Sequence, residues 1–347
     1  MNGAYTAYVG SYAEDTDGLH RLHVEPETGA MERVNSVDAG PNPSFLAIHP
    51  SEEYLYVVNE GDPGTVTAFE IADDGSLPRL NRVKSGGAGP CHLSVEATGA
   101  YVLVADYADG AVSMLPIAED GSVEEPSHVV DHEGSSVNPE RQDQPHVHSV
   151  TPGPDNEVAY VADLGTDELV VYDMDLAEGR LARFQTVTVH EGAGPRHVAI
   201  HPDGSMLYLL DELDGTVVVY QRTDRGELTE VTTVSTLPGG FEGENLTAEV
   251  LVHPTGEFLY ASNRGHDSIT VFELDDSGRP HSKVLVASGG EWPRNFALAP
   301  DGELLFAENQ HTGDVRAFGI DRETGDIDPT GETIELSQPS CMRFFDS

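Results

Sequence analysis

Short apolar stretches alternate with polar turns along the whole chain. Between residues 44 and 69, an apolar stretch and a polar turn are followed by a second apolar stretch ending in Asn59, a glycine-containing turn and a third apolar stretch. Alternation with a period of two predicts half-buried β-strands. Asp-Gly pairs at residues 74–75, 120–121, 203–204 and 301–302 predict tight turns between strands. The pattern therefore predicts an all-β protein built from hairpins.

This unit occurs seven times. The predicted first strands begin at Ser44, Cys91, His146, Arg196, Ala248, Arg294 and Ser340, with spacings of 46 to 55 residues. Repeats of this length with four strands each are typical of β-propeller blades. The seventh unit is split, because residues 340–345 supply its inner strand and residues 5–10 and 19–24 the next two. We therefore predict one domain over residues 1–347. It is a seven-bladed β-propeller of four-stranded antiparallel blades, with the ring closed where the N-terminal strands join the C-terminal strand.

The chain is strongly acidic. It has 61 acidic and 18 basic residues, a formal net charge of −43, and its only lysines are Lys84 and Lys283. An acidic surface with few lysines is typical of proteins that work in molar salt, so we predict a halophilic source. The same charge makes nucleic acids and anionic membranes poor partners.

Other features of the composition favour a cytoplasmic protein. No run of about 18 apolar residues and no basic-then-apolar leader is present, so we expect neither a membrane span nor a signal peptide. Cys91 and Cys341 are too few for a disulfide framework, and we expect free thiols in a reducing compartment. The sequence leaves the oligomeric state open, although it is compatible with a monomer.

The seven blades act as controls for one another. A small polar residue ends the second strand of every blade, so this column is structural. The histidines of the His-Pro pairs, His49, His201 and His253, are also assigned to structure. The next column varies: Tyr12, Glu60, Tyr107, Leu164, Glu212, Arg264 and Gln310. It lies at the same end of the blades as the starts of the innermost strands. Both columns therefore surround one mouth of the central channel, where we expect function.

Three arginines at that mouth are notable because basic residues are scarce. Arg196, Arg264 and Arg294 come from successive blades and can converge on one anion. Guanidinium groups bind carboxylate or phosphate through paired hydrogen bonds, which lysine does less well. The alternative is structural ion pairing with acidic neighbours, Glu212 in particular.

Histidines form the second candidate group. His148 falls in a column that is apolar in the other blades, and a period of two would place His146 on the same side of the strand. A general base or acid, a hydrogen-bonded core histidine and a metal ligand are the three interpretations. The metal is the least favoured, because His-x-His lacks an obvious third and fourth ligand. His92 and His197, one place further along their strands, are weaker candidates.

No Gly-x-Ser-x-Gly elbow, P-loop or zinc signature is present. The glycine-rich segments at 86–90 and 192–195 are not followed by a helical pattern, so we interpret them as loops between outer and inner strands. We therefore expect no cofactor and no metal.

Several segments resemble one known family. They are Gly192-Ala193-Gly194-Pro195-Arg196-His197, His201-Pro202, Asp211-Glu212-Leu213, and residues 145–150, 259–264 and 293–296. They are similar to the seven-bladed lactonase family, which includes the propeller-type 6-phosphogluconolactonase and the fungal carboxy-muconate cyclase. The resemblance covers essentially the whole chain. It implies a catalytic set of one blade-three histidine with Arg196, Glu212 and Arg264.

The leading hypothesis is hydrolysis of a sugar-acid lactone, with 6-phosphogluconolactone as the first candidate. His146, His148 or Glu212 would take the proton of the attacking water. One arginine would stabilise the carbonyl oxygen as it becomes negative, and the others would hold the substrate anion. The residues expected to bind substrate are Arg294, His197, His92 and Glu60. A muconate-type lactone cycloisomerase, a metal-dependent lactonase and a non-catalytic binding propeller remain as alternatives.

Overall fold

Seven four-stranded antiparallel sheets make up the protein. The computed structural model describes residues 3–13 and 18–345, and no helix occurs in those ranges. Residues 1–2, 14–17 and 346–347 of the domain predicted over 1–347 lie outside the described part. The predicted all-β class and the seven four-stranded blades are confirmed.

The blades follow the chain in order. The first three strands belong to blade 7 and are β1 (Tyr5–Ser11), β2 (Leu19–Val24) and β3 (Met31–Val37). Blade 1 contains β4 (Pro43–Ile48), β5 (Tyr54–Asn59), β6 (Thr65–Glu70) and β7 (Arg79–Lys84). Blade 2 contains β8 (Pro90–Val95), β9 (Tyr101–Asp106), β10 (Ala111–Pro116) and β11 (His128–Asp131). Blade 3 contains β12 (Val147–Pro152), β13 (Val158–Asp163), β14 (Glu168–Asp175) and β15 (Arg180–Thr188).

The remaining blades have the same plan. Blade 4 contains β16 (Pro195–Ile200), β17 (Met206–Asp211), β18 (Thr216–Arg222) and β19 (Leu228–Ser235). Blade 5 contains β20 (Leu246–Val252), β21 (Phe258–Arg264), β22 (Ser268–Leu274) and β23 (Pro280–Ala287). Blade 6 contains β24 (Pro293–Leu298), β25 (Leu304–Asn309), β26 (Asp314–Ile320) and β27 (Ile327–Glu335). The last strand, β28 (Pro339–Phe345), is the innermost strand of blade 7.

The two ends of the chain close the ring in blade 7. Strand β28 pairs with β1 in an antiparallel register that sets Tyr8 opposite Arg343 and Thr6 opposite Phe345. The order of this sheet is β28-β1-β2-β3, as the split seventh repeat predicted. Because the two ends of the chain pair within one blade, strand hydrogen bonds hold the ring closed there.

Repeated hydrogen bonds connect neighbouring blades. A buried tyrosine on the second strand of five blades donates its hydroxyl to a glycine carbonyl in the next blade, at 2.7–3.1 Å. These tyrosines are Tyr8, Tyr56, Tyr160, Tyr208 and Tyr260. The Nε2 atoms of His49, His201 and His253 lie 2.9–3.0 Å from the carbonyl oxygens of Gly99, Gly256 and Gly302 in the next blade. The His-Pro histidines therefore have the structural role that the sequence predicted. With the tyrosines, they join neighbouring blades by hydrogen bonds.

A β-bulge interrupts the pairing at the start of the innermost strand in every blade. The extra residues are Ser44, Cys91, His148, Arg196, Ala248, Arg294 and Ser340. A bulge leaves one residue out of the ladder and reorients its side chain. The bulges therefore present one side chain per blade at the same mouth of the channel.

The register of blade 3 differs from the sequence prediction. Val147 pairs with Asp163 and Val150 with Val161, so the extra residue is His148, and His146 lies before the strand. The placement of His148 in an apolar column was wrong, because Val150 occupies that column. A proline begins the innermost strand in five blades, and aligning Pro145 with those prolines shifted the predicted start. In blade 3 the place of that proline is taken by Val147.

Candidate active site

A cavity of about 380 Å³ opens at the mouth that carries the bulge residues. Its lining includes the charged residues Arg141, Arg264, Arg294, Glu60 and Glu212, together with His148, Tyr107 and Cys91. These side chains come from bulges, from the ends of second strands and from the loop between β11 and β12. The predicted mouth is therefore the place where the structure concentrates polar groups.

Glu212 is at the centre of the charged network. Its Oε2 accepts hydrogen bonds from Arg196 Nε at 2.9 Å and from Arg264 Nη2 at 2.7 Å. Its Oε1 accepts one from Arg141 Nη2 at 2.5 Å. Burial alone would raise the pKa of Glu212, but Arg264, Arg196, His148 and Arg141 hold it well below its usual value. Glu212 is therefore ionised and shared by three guanidinium groups.

The two inner arginines have different surroundings. Arg196 is 2% exposed and lies behind Glu212, where its Nη1 also donates to the carbonyl of Ala248. Arg264 lines the cavity, and its guanidinium carbon lies 5.4 Å from the centre of the Trp292 ring. Burial, together with Arg196 and Arg294, lowers the pKa of Arg264. Arg196 and Arg264 therefore both form the ion pair with Glu212 that the sequence analysis gave as the structural alternative to binding a substrate anion.

His148 lines the cavity beside this network. Its Nε2 lies 3.8 Å from Glu212 Oε2, and its ring contacts Tyr107 edge-on at 5.4 Å between centres. The Sγ of Cys91 donates to the His148 carbonyl oxygen at 3.3 Å. Burial and Arg196 lower the pKa of His148 well below its ordinary value, although Glu212 opposes this. His148 is therefore held in its neutral form, in which one ring nitrogen carries a lone pair; its Nδ1 lies 3.7 Å from Cys91 Sγ.

His146 has a different environment. Its ring stacks on Tyr107 with 4.4 Å between centres and an angle of 15° between planes. Its Nδ1 lies 2.9 Å from the Tyr107 carbonyl oxygen, and its Nε2 lies 4.0 Å from Asp143. His146 is absent from the described lining of the cavity. The structure therefore brings His148, and not His146, to Glu212.

Of the arginines that line the cavity, Arg294 has the fewest hydrogen bonds to described residues. Its Nη2 donates to the Tyr12 hydroxyl at 2.5 Å, and its guanidinium lies 5.0 Å from the centre of that ring. The Tyr12 hydroxyl donates to Glu60 Oε1 at 2.7 Å, and Ser44 Oγ donates to the same oxygen at 2.6 Å. No carboxylate in the described residues forms an ion pair with Arg294. Its remaining N–H groups are available to an anion in the cavity.

A second polar layer lies one residue deeper in the channel. His197 Nδ1 lies 2.9 Å from Glu249 Oε1, and Asn295 donates to the other oxygen of Glu249. The rings of His92 and His197 are 5.2 Å apart, and those of His148 and His197 are 5.4 Å apart. His92 and His197 are not in the described lining of the cavity. The predicted substrate-binding residues therefore divide into Arg294 and Glu60 at the cavity and these two histidines beneath it.

Glu308 is an unusual acid in this deeper layer. It is fully buried, and neither of its carboxylate oxygens has a side-chain donor within hydrogen-bonding distance in the described residues. Burial raises the pKa of Glu308 well above its ordinary value, although Arg343 opposes this. The side chain is therefore held as a neutral acid in the folded protein.

Glu308→Gln is expected to stabilise the protein in a pH-dependent way. Because the pKa of Glu308 is higher in the folded than in the unfolded chain, the free energy of unfolding falls as pH rises between the two values. The variant loses this fall, so its gain should grow from near zero at pH 4 to about 1–3 kcal/mol at pH 8. Denaturant unfolding across this range measures it. Glu332→Gln, on the exposed outer strand of the same blade, is the control. A loss of stability that is equal at every pH would contradict the neutral-acid assignment.

Sequence reasoning missed two contributors to the site. Arg141 lies in the loop between β11 and β12, with 32% of its side chain exposed, and it reaches Glu212 across the cavity. Its Nη2 also lies 3.4 Å from the Tyr107 hydroxyl. The 55-residue spacing between Cys91 and His146, the longest of the seven units, and the scarcity of basic residues are the signals in the sequence that point to Arg141. Tyr12 was in the variable column but was not singled out.

The net charge of the cavity is opposite to that of the protein. Arg141, Arg264 and Arg294 line it and Arg196 lies directly behind, whereas Glu60 and Glu212 are its lining carboxylates. No three metal-ligating side chains of the described residues converge there. The arrangement favours a small anionic ligand.

The chain is similar to known lactonases. The family model described as "Lactonase, 7-bladed beta-propeller" matches residues 6–344. The chain is 33% identical over 345 residues to 6-phosphogluconolactonase of Bacillus subtilis, covering 98% of each chain. It is 29% identical over 350 residues to 6-phosphogluconolactonase of Formosa agariphila, covering 97% of this chain and 99% of the relative. The structure of the periplasmic gluconolactonase of Pseudomonas aeruginosa superposes with a TM-score of 0.94 at 30% identity, covering 99% of each chain.

The chain therefore belongs to the seven-bladed β-propeller lactonase family. Its enzymatic class is that of a lactonase, a hydrolase that opens cyclic esters. Within the described residues, no helix is long and apolar enough to cross a membrane.

Proposed function

We propose that the protein hydrolyses 6-phosphogluconolactone to 6-phosphogluconate. The main support is a neutral buried histidine in the same cavity as a guanidinium that forms no direct ion pair with a described carboxylate. His148 supplies the base and Arg294 the anion site in one cavity of about 380 Å³. The relatives named 6-phosphogluconolactonase support the phosphorylated substrate.

In the proposed reaction, His148 takes a proton from a water that attacks the lactone carbonyl carbon. The tetrahedral oxyanion is stabilised by Arg264, which faces the cavity from the far side of Glu212. Collapse of this intermediate breaks the bond to the ring oxygen, and the imidazolium of His148 returns its proton to that oxygen. Arg196 acts by positioning Glu212, because it is buried behind this carboxylate.

The phosphate is proposed to bind between Arg294 and Arg141. Arg294 offers donors that no described acidic side chain uses, and Arg141 is the most exposed of the cluster. Arg141 can therefore exchange its bond to Glu212 for one to the substrate. Two guanidinium groups on one phosphate give the geometry that favours arginine over lysine.

The conditions in the cell are also proposals. The charge of −43 supports activity in molar salt. The cytoplasmic location stays a prediction, since one solved relative is named as a periplasmic enzyme. The oligomeric state stays open, and a monomer is compatible with the sequence.

A proton-release assay in molar KCl tests the proposed reaction. The rate with 6-phosphogluconolactone is compared with that of unphosphorylated gluconolactone, each after subtraction of the spontaneous rate. We expect a higher kcat/KM for the phosphorylated lactone. Enzyme-dependent opening of neither lactone would overturn the proposed function.

Arg294→Met is expected to impair use of the phosphorylated lactone selectively. Loss of charge-assisted hydrogen bonds costs about 1.5–3 kcal/mol, so kcat/KM should fall by about 10- to 100-fold, mainly through KM. The unphosphorylated lactone should lose much less. Arg180→Met, at an exposed position on β15, is the matched control. An equal loss with both lactones would remove Arg294 from phosphate binding.

A further inference from the structure

A group of metal-ligating side chains lies outside the described lining of the cavity, where the loop between β15 and β16 meets the second strand of blade 4. His190, Asp211 and Asp214 each place one ligand atom within 4.8 Å of the other two. His190 Nε2 is 2.5 Å from Asp214 Oδ2. His190 and Asp214 are partly exposed, with 46% and 31% of their side chains accessible, whereas Asp211 is fully buried.

Asp211 is exceptional among the buried polar residues that end the second strands. The other two aspartates of this column have donors for both oxygens. Ser85 and Ser113 donate to Asp106, and His132 and three backbone N–H groups bond Asp163. The Oδ1 of Asp211 has no partner in the described residues. Asn309 also has an unpartnered oxygen, but an amide carries no charge.

The sequence of blade 4 explains the missing partner. The backbone N–H groups of Ser85 and His132 donate to the carbonyl oxygens of Gly64 and Gly110, in the turn before the third strand. The residue that makes the equivalent bond, to the carbonyl of Asp167, is Val189. The residue that corresponds to Ser113, two places after the strand partner of the aspartate, is Val218. Neither valine can donate to Asp211. A buried carboxylate oxygen without a donor costs free energy unless another group compensates it.

The nearby hydroxyl does not supply enough protons. Thr216 Oγ1 lies 3.0 Å from Asp211 Oδ2 and 2.9 Å from Asp214 Oδ1. A hydroxyl has one hydrogen and can donate to only one of them. Two carboxylates and one imidazole therefore lie close together, with fewer hydrogen-bond donors than the carboxylates can accept.

We propose that His190, Asp211 and Asp214 bind a divalent transition-metal cation. One imidazole and two carboxylate oxygens suit Zn²⁺ or Mn²⁺, and water can complete the coordination on the exposed side. The cation supplies the charge that the unpartnered Asp211 oxygen lacks. It also connects the loop before Arg196 to the turn that carries Glu212, so it holds together two segments that form the cavity.

A proton on Asp211 is the competing explanation. Burial and Asp214 raise the pKa of this carboxyl well above its ordinary value. The two explanations differ in what they require of the side chain. If Asp211 is a protonated acid, an amide can replace it with little effect. If Asp211 binds a cation, replacement by an amide removes a charged ligand and weakens binding.

The test uses tag-free protein stripped with EDTA and titrated with ZnCl₂ by calorimetry, with thermal unfolding in parallel. We expect one tight site per chain and a rise in Tm with zinc. Asp211→Asn is the informative variant, because Asn59, Asn263 and Asn309 fill this position in three other blades. It should fold normally in EDTA. Its affinity for zinc should fall by at least about 10- to 100-fold, which is the loss seen when even an indirect partner of a metal ligand is removed.

His190→Ala should weaken zinc binding in the same way. Asp203→Asn is the matched control, because His201 and Asp203 form a pair at 2.7 Å on which no third metal-ligating side chain of the described residues converges. Zinc binding and zinc-dependent Tm that are equal in wild type and Asp211→Asn would overturn the site. So would the absence of a tight site in the wild type, which would assign the proton to Asp211.

Discussion

His148→Asn should reduce kcat for lactone opening by about 100- to 10,000-fold, the usual contribution of a positioned general base. Asn fits the bulge position and keeps a polar group, so the fold should be unaffected. Because the pKa of His148 is lowered by burial and by Arg196, wild-type activity should stay constant as pH falls to 6. Activity should decline only when pH falls through the lowered pKa and the imidazole takes a proton.

The comparison variant is His146→Asn, which separates the two blade-three histidines that sequence alone left open. His146 stacks on Tyr107 outside the described lining of the cavity, so we expect a loss of less than about tenfold. Rates are measured above the spontaneous reaction, since lactones open without enzyme. If His146→Asn shows the larger loss, the assignment of the base to His148 is wrong.

Glu212→Gln should destabilise the protein by about 3–5 kcal/mol, because it leaves buried guanidinium groups without a counter-charge. Arg196 and Arg264 both donate to Glu212 and are nearly fully buried. Denaturant unfolding at fixed KCl concentration measures the loss. Activity should also fall, because Arg264 loses the acceptor that fixes its position.

An added anion provides a second readout for Glu212→Gln. Inorganic phosphate can supply the missing negative charge, so it should stabilise the variant more than the wild type. Glu227→Gln, in an exposed turn of the same blade, controls for loss of a surface charge. A variant as stable as the wild type, with no response to phosphate, would show that Glu212 does not balance the arginines.

Much of this structure follows from the sequence because the fold repeats. The period of the blades, the turn residues and the split seventh unit predicted the ring and its closure. Comparison between blades separated the structural His-Pro histidines from the variable residues at the mouth. It also placed Glu212, Arg264 and Arg294 at that mouth, where the structure has them. Repetition supplied controls that a single domain without repeats lacks.

The remaining details depend on local backbone geometry. A bulge adds one residue without changing the hydrophobic pattern, so pattern alone could not fix the register of blade 3, and Pro145 gave a misleading landmark. The same bulges determine that His92 and His197 lie beneath the cavity. Arg141 belongs to an insertion with no counterpart in other blades, and its contact with Glu212 spans 71 residues of sequence. No periodic argument reaches such a contact.

The bulge at the start of each innermost strand has a consequence for evolution. The extra residue lies outside the ladder, so its identity is separated from the packing of its blade. Serine, cysteine, histidine, alanine and arginine all occupy this position in one molecule. The strand pairing of a blade therefore does not restrict its mouth residue, and the cost of an exchange depends on the contacts made at the mouth, such as that of Arg196 with Glu212. A gene encoding such a propeller can alter the mouth most freely at the bulges whose side chains take no part in the charged network.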